Sequence, residues 1–331
     1  MVMTPLAMTI GDPAGIGPEL ALKAWLRKGE IGAPFFVFAD PGILRATSKA
    51  LGLGVPIAVV KPEDAGNSFD CALPVVSLAK TLEVRPGHPS AASAPATIES
   101  IQRAVAAVRL GQASALITNP VAKHVLYDAG FRFSGHTEFL GELARDWGRN
   151  FQPVMMLWSA ELAVVPVTIH IPLADVPRDL TFDLIVSTIR IVARDMVRRF
   201  GIAQPRIAVS GLNPHAGESG AMGGEEIAII SPAIAQLRDE GLDLTGPHPA
   251  DTLFHAAARR KYDVAVTMYH DQGLIPIKTL AFDTGVNVTL GLPFVRTSPD
   301  HGVAFDIAGK GIANPASLIE AARLAARLAN A

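Results

Sequence analysis

Short runs of β-branched and apolar residues alternate along the chain with longer stretches whose apolar side chains recur every three or four positions. The first pattern fits buried strands, the second helices with one face packed on a sheet. Strands are predicted at LAMTI (6–10), FFVFA (35–39), ALIT (115–118), VVPVTI (164–169), RIAVS (206–210) and DVAVTM (263–268). Helices are predicted over 18–28, 95–110, 137–147, 181–200, 225–240, 249–260 and 315–329. The stretch TFDLIVSTIRIVARDMVRRFG carries its own boundaries, with Thr181 as N-cap and Gly201 just past the end. Such alternation predicts an α/β protein with a largely parallel sheet. PGHPSAASAP (86–95) reads as a surface loop or mobile flap, and no sharp linker or internal repeat divides the chain.

Bulk properties narrow the class. A chain of 331 residues suggests two lobes, and 49% hydrophobic against 18% charged residues argues for an ordered, compact protein. A net charge of −2 gives no electrostatic reason to expect nucleic acid. The single cysteine, Cys71, excludes an internal disulfide and fits a reducing compartment. The N-terminus MVMTPLAMTIGDP has neither a basic segment nor a long apolar one, and PVMMLWSAELAVVPVTI is broken by Glu161 and two prolines. A soluble, cytoplasmic protein is expected, with neither a nucleic-acid nor a membrane partner.

Candidate chemistry gathers at strand ends. His170, His215 and His270 each stand at or just past a predicted strand, in VVPVTIH, IAVSGLNPH and VAVTMYH. Ligands collect at the carboxyl ends of strands in open α/β sheets, and imidazole is the commonest metal ligand. Three such histidines suit a catalytic metal; each alone reads more readily as a packed or hydrogen-bonded loop residue. Their wide spacing matches no zinc-finger or HExxH pattern, so tertiary or quaternary structure must assemble any site. GDPAGIGPE (11–19) follows the first strand, either as an anion-binding loop or as a tight strand-to-helix turn, and it is not GxGxxG. In SGHTEF (134–139), Thr137 can cap a helix while His136 faces a ligand. YHDQGLIPIK places Asp271 beside His270, as an orienter or general base, and Lys278 where it can neutralise an anion. GVNVTLGLPFVRTSPDHG adds Asn287 as a polar donor and Arg296 as an anion clamp.

Taken together, MTIGDPAGIGPE, ITNPVAK, GHTEFL, SGLNPHAGE, YHDQGLIPIK and GLPFVRTSPDHGVAFDIAGKG resemble the PdxA family of 4-hydroxythreonine-4-phosphate dehydrogenases, over residues 8 to about 312. A more distant likeness, through GIGPE, is to isocitrate and isopropylmalate dehydrogenases. The resemblance implies their two-lobed α/β/α fold rather than a Rossmann GxGxxG domain. It implies a first lobe of 1–125 with about 285–331, a second of about 126–284, and an active site in the cleft between lobes at a homodimer interface. One divalent metal (zinc, magnesium or cobalt) would be held by His170, His215 and His270, drawn from both subunits. His136, Thr137, Lys278, Asn287 and Arg296 match substrate-contacting positions; Asp251 and Asp271 match nearby acidic residues, and Asp251, Asp271 and Lys278 are the catalytic candidates. The implied reaction is NAD- or NADP-dependent oxidation of 4-phosphooxy-L-threonine to a β-keto acid. That acid loses carbon dioxide to give 3-amino-2-oxopropyl phosphate for vitamin B6 synthesis. Relatives acting on threonate or erythronate 4-phosphate, or on cis-dihydrodiol carboxylates, share these motifs. A metal-dependent hydrolase and a phosphate acyltransferase are the readings from other classes. One departure from the family pattern is Ala221, where a histidine often stands.

Overall fold

Twelve strands run along the described residues of the computed structural model, which are 3–79, 83–133 and 135–331. They are β1 (Leu6–Thr9), β2 (Phe35–Ala39), β3 (Ile57–Val59), β4 (Leu73–Ser77), β5 (Leu116–Ile117), β6 (Val154–Trp158), β7 (Ala163–Pro166), β8 (Ile207–Ser210), β9 (Leu244–His248), β10 (Val264–Thr267), β11 (Val286–Leu290) and β12 (Arg296–Pro299). Contacts group the chain into two units, one of Met1–Pro153 with Leu292–Asn330, the other of Val154–Gly291.

In the first unit the strand order is β3-β4-β2-β1-β5-β12, and every pair is parallel. FFVFA forms β2 with all five side chains buried, as a strand covered on both faces requires. Phe36 and Phe38 pack with Ile101, Ala104 and Val105 of the helix Ala94–Arg109, and with Phe139 and Leu140. In the second unit the order is β11-β6-β7-β10-β8-β9. Here β6 runs antiparallel to both β11 and β7, while β7, β10, β8 and β9 are mutually parallel. Its core joins Leu157, Val164, Ala208 and Ala265 to Leu274 and Ile277.

The α/β class and all six predicted strands are present, and the helix Phe182–Arg198 lies between the predicted punctuation marks. Thr181 Oγ1 accepts from the Leu184 N–H at 3.2 Å, and Gly201 adopts φ +71°. The unit boundaries fall at 153/154 and 291/292, where 125/126 and 284/285 were expected. Residues 126–153 group with the first unit because Phe139, Leu140 and Ala144 enter its core. No long helix forms over 249–260, only the turns Ala250–Thr252 and Ala256–Arg259. The Leu253 carbonyl there accepts from Tyr262 Oη at 3.0 Å and the Phe254 carbonyl from Arg259 Nη1 at 3.4 Å, which diverts them from helical amides. The stretch 86–95 is partly fixed, with Gly87 N–H bound to the Ala14 carbonyl at 2.8 Å and a helix starting at Ala94. No helix of the described residues is long and apolar enough to cross a membrane.

Candidate active site

Within the second unit, β7, β10 and β8 are consecutive parallel neighbours, so their C-terminal ends share one edge. His170, His270 and His215 follow those three strands within a few residues. His170 and His270 meet, with ring centroids 5.6 Å apart. His270 Nδ1 lies 2.7 Å from Asp271 Oδ1, a bond that orients the ring and leaves Nε2 as the free nitrogen. A cavity of about 240 Å³ is lined by His170, His270, Asp271, Thr168 and Tyr269. His270 opens the helix His270–Ala281, on which Asp271, Ile275 and Lys278 follow at helical spacing and line a second, shallower hollow. Sequence periodicity missed this helix because Gly273 and Pro276 read as breakers. A side chain at Gly273 would meet Thr267 Oγ1 at 2.8 Å, so glycine here lets the helix close on the sheet.

His215 is presented differently. Residues His215, Ala216, Gly217, Glu218 and Ser219 have φ of 52°, 52°, 78°, 42° and 58°, one left-handed turn. Non-glycine residues there are strained, and something must hold them. The buried Glu226 does so: one oxygen accepts from the Leu212 and Asn213 amides, both at 2.8 Å, and the other from Asn213 Nδ2 at 3.0 Å. A Cβ on Gly217 would stand 2.6 Å from that carboxylate. Gln272 fastens the two strand ends together. Its Oε1 accepts from Met268 N–H at 2.7 Å and Ser210 Oγ at 2.8 Å, and its Nε2 donates to the Gly211 carbonyl at 2.8 Å. Neither Glu226 nor Gln272 was singled out from sequence, although Gln272 stands inside YHDQGLIPIK and Glu226 lies eight residues beyond SGLNPHAGE. Among the described residues of one chain, no three His, Cys, Asp or Glu side chains gather in a metal-holding group. The structure therefore joins His170 to His270 and leaves His215 outside that pair. Asp251 is exposed in the turn Ala250–Thr252, and Asn287 is partly exposed on β11.

The first unit carries a second constellation. Arg296, on β12, is buried beside β5 and donates to Thr118 Oγ1 from Nε at 3.0 Å and from Nη2. Burial lowers its pKa to about 10, which leaves it cationic at neutral pH. His136 and Thr137 open the helix His136–Ala144; Ser134, the first residue of the predicted motif, lies outside the described residues. His136 Nε2 is buried with no hydrogen-bond partner. Burial first, then the charges of Arg296 and Lys123, lower the His136 pKa to about 3, so the imidazole is neutral. Buried positive charge beside an unspent imidazole and a helix N-terminus is the environment an anion requires. The glycine loop resolves as a turn. Gly11 takes φ +75°, and a Cβ on Gly17 would stand 2.2 Å from the Ile10 carbonyl oxygen. The amides of Asp12, Gly15 and Ile16 are spent within the fold, on the carbonyls of Pro120, Asp12 and Val303.

A divalent metal suits this donor set in part. Imidazole nitrogen favours zinc or cobalt, and the carboxylate on His270 Nδ1 frees Nε2 for a ligand, but one chain gathers two histidines rather than three.

Known proteins define the class. The chain is 59% identical over 336 residues to a 4-hydroxythreonine-4-phosphate dehydrogenase of Bradyrhizobium diazoefficiens, covering 99% of this chain and 97% of that one. The crystal structure of 4-hydroxythreonine-4-phosphate dehydrogenase from Klebsiella pneumoniae superposes with a TM-score of 0.87 at 38% identity, covering 99% and 98%. A terephthalate 1,2-cis-dihydrodiol dehydrogenase from Burkholderia xenovorans gives 0.65 at 29% identity, covering 98% of each chain. Fold and likeness thus place the chain among the α/β dehydrogenases. It belongs to the family of the pyridoxal phosphate biosynthetic protein PdxA, whose model matches residues 30–325.

Proposed function

We propose that the chain oxidises 4-phosphooxy-L-threonine with NAD⁺ or NADP⁺ and one divalent metal, giving a β-keto acid that decarboxylates to 3-amino-2-oxopropyl phosphate. The observation that carries this reading is the first unit's anion cluster, a buried arginine beside a neutral, unpartnered imidazole. It fits a phosphorylated substrate, as the relatives' name specifies. Arg296 would hold an anionic group through its guanidinium, oriented by Thr118, and His136 would offer Nε2. His170, His215 and His270 would hold the metal, drawn from two copies of the chain because one copy gathers only the pair. Bound there, the metal supplies an electrophile that lowers the pKa of the substrate alcohol. A nicotinamide would supply the hydride acceptor. Asp271, bonded to His270 and exposed, would orient that ring and take a proton through water. Lys278 lines the same hollow as Asp271 and would balance substrate charge.

The deciding assay is reduction of NAD⁺ or NADP⁺ at 340 nm by zinc-loaded protein with 4-phosphooxy-L-threonine. Turnover abolished by His215→Ala supports the reading. Turnover with only D-threonate or D-erythronate 4-phosphate, or a cis-dihydrodiol carboxylate, reassigns the substrate and retains the dehydrogenase. Phosphate release with no nicotinamide consumed would replace it with a hydrolase.

A further inference from the structure

Lys123 ends the motif ITNPVAK and opens the short helix Lys123–Asp128. Its side chain is exposed, the ordinary condition of a solvated surface lysine. Two observations separate it from that condition. First, it lies over the start of the helix His136–Ala144: a Cβ built on Gly135 would stand 3.3 Å from Lys123 Cε and 3.4 Å from Nζ. Gly135 has φ of 179°, an extended conformation open to any residue, so backbone geometry does not ask for glycine there. A Cβ there would sit tightly against Lys123, with Glu138 Oε2 also at 3.2 Å, so these side chains would have to shift by a few tenths of an ångström to admit it. Second, Lys123 acts on His136: burial first, then the charges of Arg296 and Lys123, keep that imidazole neutral. Among the described residues, Lys123 and Glu138 share the neighbourhood of Gly135 with no salt bridge joining them.

We propose that Lys123 is a third positive group of the first unit's anion subsite, contacting the substrate phosphate through Nζ and setting specificity for phosphorylated over unphosphorylated substrate. The proposal rests on the reading that Arg296 and His136 hold a substrate anion. A carboxylate is matched by one guanidinium fork. A phosphate dianion spreads charge over three oxygens, which suits an arginine, an ammonium and the amides of a helix N-terminus together. Gly135 is then the positioning residue that keeps the approach open.

The test compares wild type, Lys123→Ala, Lys123→Arg, Gly135→Ala and the Lys123→Ala/Gly135→Ala double variant, all on zinc-loaded full-length protein. Thermal melting checks folding, which an exposed side chain leaves unchanged. Lys123→Ala is expected to raise KM for 4-phosphooxy-L-threonine about ten- to a hundredfold, with kcat within about twofold, as loss of one charged hydrogen bond to substrate predicts. Lys123→Arg retains most of the affinity, and turnover of unphosphorylated 4-hydroxy-L-threonine is unmoved by either change. Gly135→Ala raises KM in the wild-type background and has little further effect in the Lys123→Ala background. Calorimetric titration with inorganic phosphate, which needs no turnover, is expected to show weaker binding in Lys123→Ala. An active wild type whose KM and phosphate binding ignore Lys123→Ala overturns the role of Lys123 alone. An inactive wild type that binds phosphate through Lys123 overturns the dehydrogenase reading and upholds the subsite. A wild type that neither turns over nor binds phosphate overturns both.

Discussion

A neutral histidine pressed against two cations is a linkage between acidity and stability. The folded His136 has a pKa of about 3, below the ordinary value of 6.5, with burial the larger cause and Arg296 and Lys123 the next. Below pH 6.5 the unfolded chain takes up a proton that the folded chain refuses. The contribution of this residue to stability is therefore complete above pH 6.5 and is lost as pH falls from 6.5 toward 3. Urea denaturation at pH 7.5 and pH 5.0 should show wild type losing more stability on acidification than His136→Gln, by up to about 2 kcal/mol. In proton NMR the His136 ring should give a constant, neutral shift from pH 5 to 9. A midpoint near 6.5 for that resonance, or equal acid losses in the two proteins, would defeat the account. Binding of a phosphate dianion should raise the midpoint, since the anion offsets the two cations that hold it down.

The left-handed turn after β8 is the element on which His215 depends. Four non-glycine residues, His215, Ala216, Glu218 and Ser219, occupy it at positive φ, and each costs about 1–2 kcal/mol relative to the ordinary helical region. Glu226 offsets part of that strain by accepting three hydrogen bonds on a buried carboxylate. Glu226→Gln keeps the shape but turns an amide toward Asn213 Nδ2, opposing donor to donor. Asn213 cannot simply rotate, because the same nitrogen also donates to Glu225 at 2.8 Å. The expected outcome is a loss of about 1–3 kcal/mol in urea denaturation and zinc binding weakened about ten- to a hundredfold, measured by titration. Unchanged stability and zinc affinity would show that the turn holds itself. Nothing in the sequence signals this conformation, since Ala216, Glu218 and Ser219 carry no mark of positive φ and the restraint comes from residue 226. By contrast FFVFA and the Thr181–Gly201 stretch were legible, because burial on both faces and helix capping are local properties. The short strands β3 and β5 differ in the same sense: ALIT sits in a continuous apolar run, whereas β3 has half-exposed positions and no period to read. At the site, His136, Arg296 and the histidines were legible as chemistry-bearing residues at motif positions. Gln272 was not, because its role exists only once Ser210 and Met268 are brought beside it.

At the scale of the whole molecule, the second unit exposes apolar side chains beside its histidine pair. His170 is exposed, and Leu173, Ile275 and Phe282 show 68%, 64% and 75% of their surface to solvent, large apolar side chains on the segments that carry His170 and His270. Such exposure beside a histidine pair is what a two-fold contact between copies would cover. If His215 and His270 of one metal site belong to different chains, two inactive variants can rescue each other. A hybrid dimer of His215→Ala and His270→Ala then has one site carrying both substitutions and one carrying neither. Unfolding and refolding an equal mixture should yield half hybrids, and activity of about a quarter of wild type, from statistical pairing. If each chain supplied a whole site, every site in the hybrid would lack one histidine and the mixture would stay inactive. Ile275→Asp added to both variants distinguishes subunit exchange from other causes of recovery. Burying a carboxylate in the contact should shift the sedimentation coefficient from two chains to one and abolish the rescue together. Wild-type activity retained by an Ile275→Asp protein that keeps all its histidines and sediments as one chain would exclude the shared site and require His215 to reach the His170–His270 pair within its own chain.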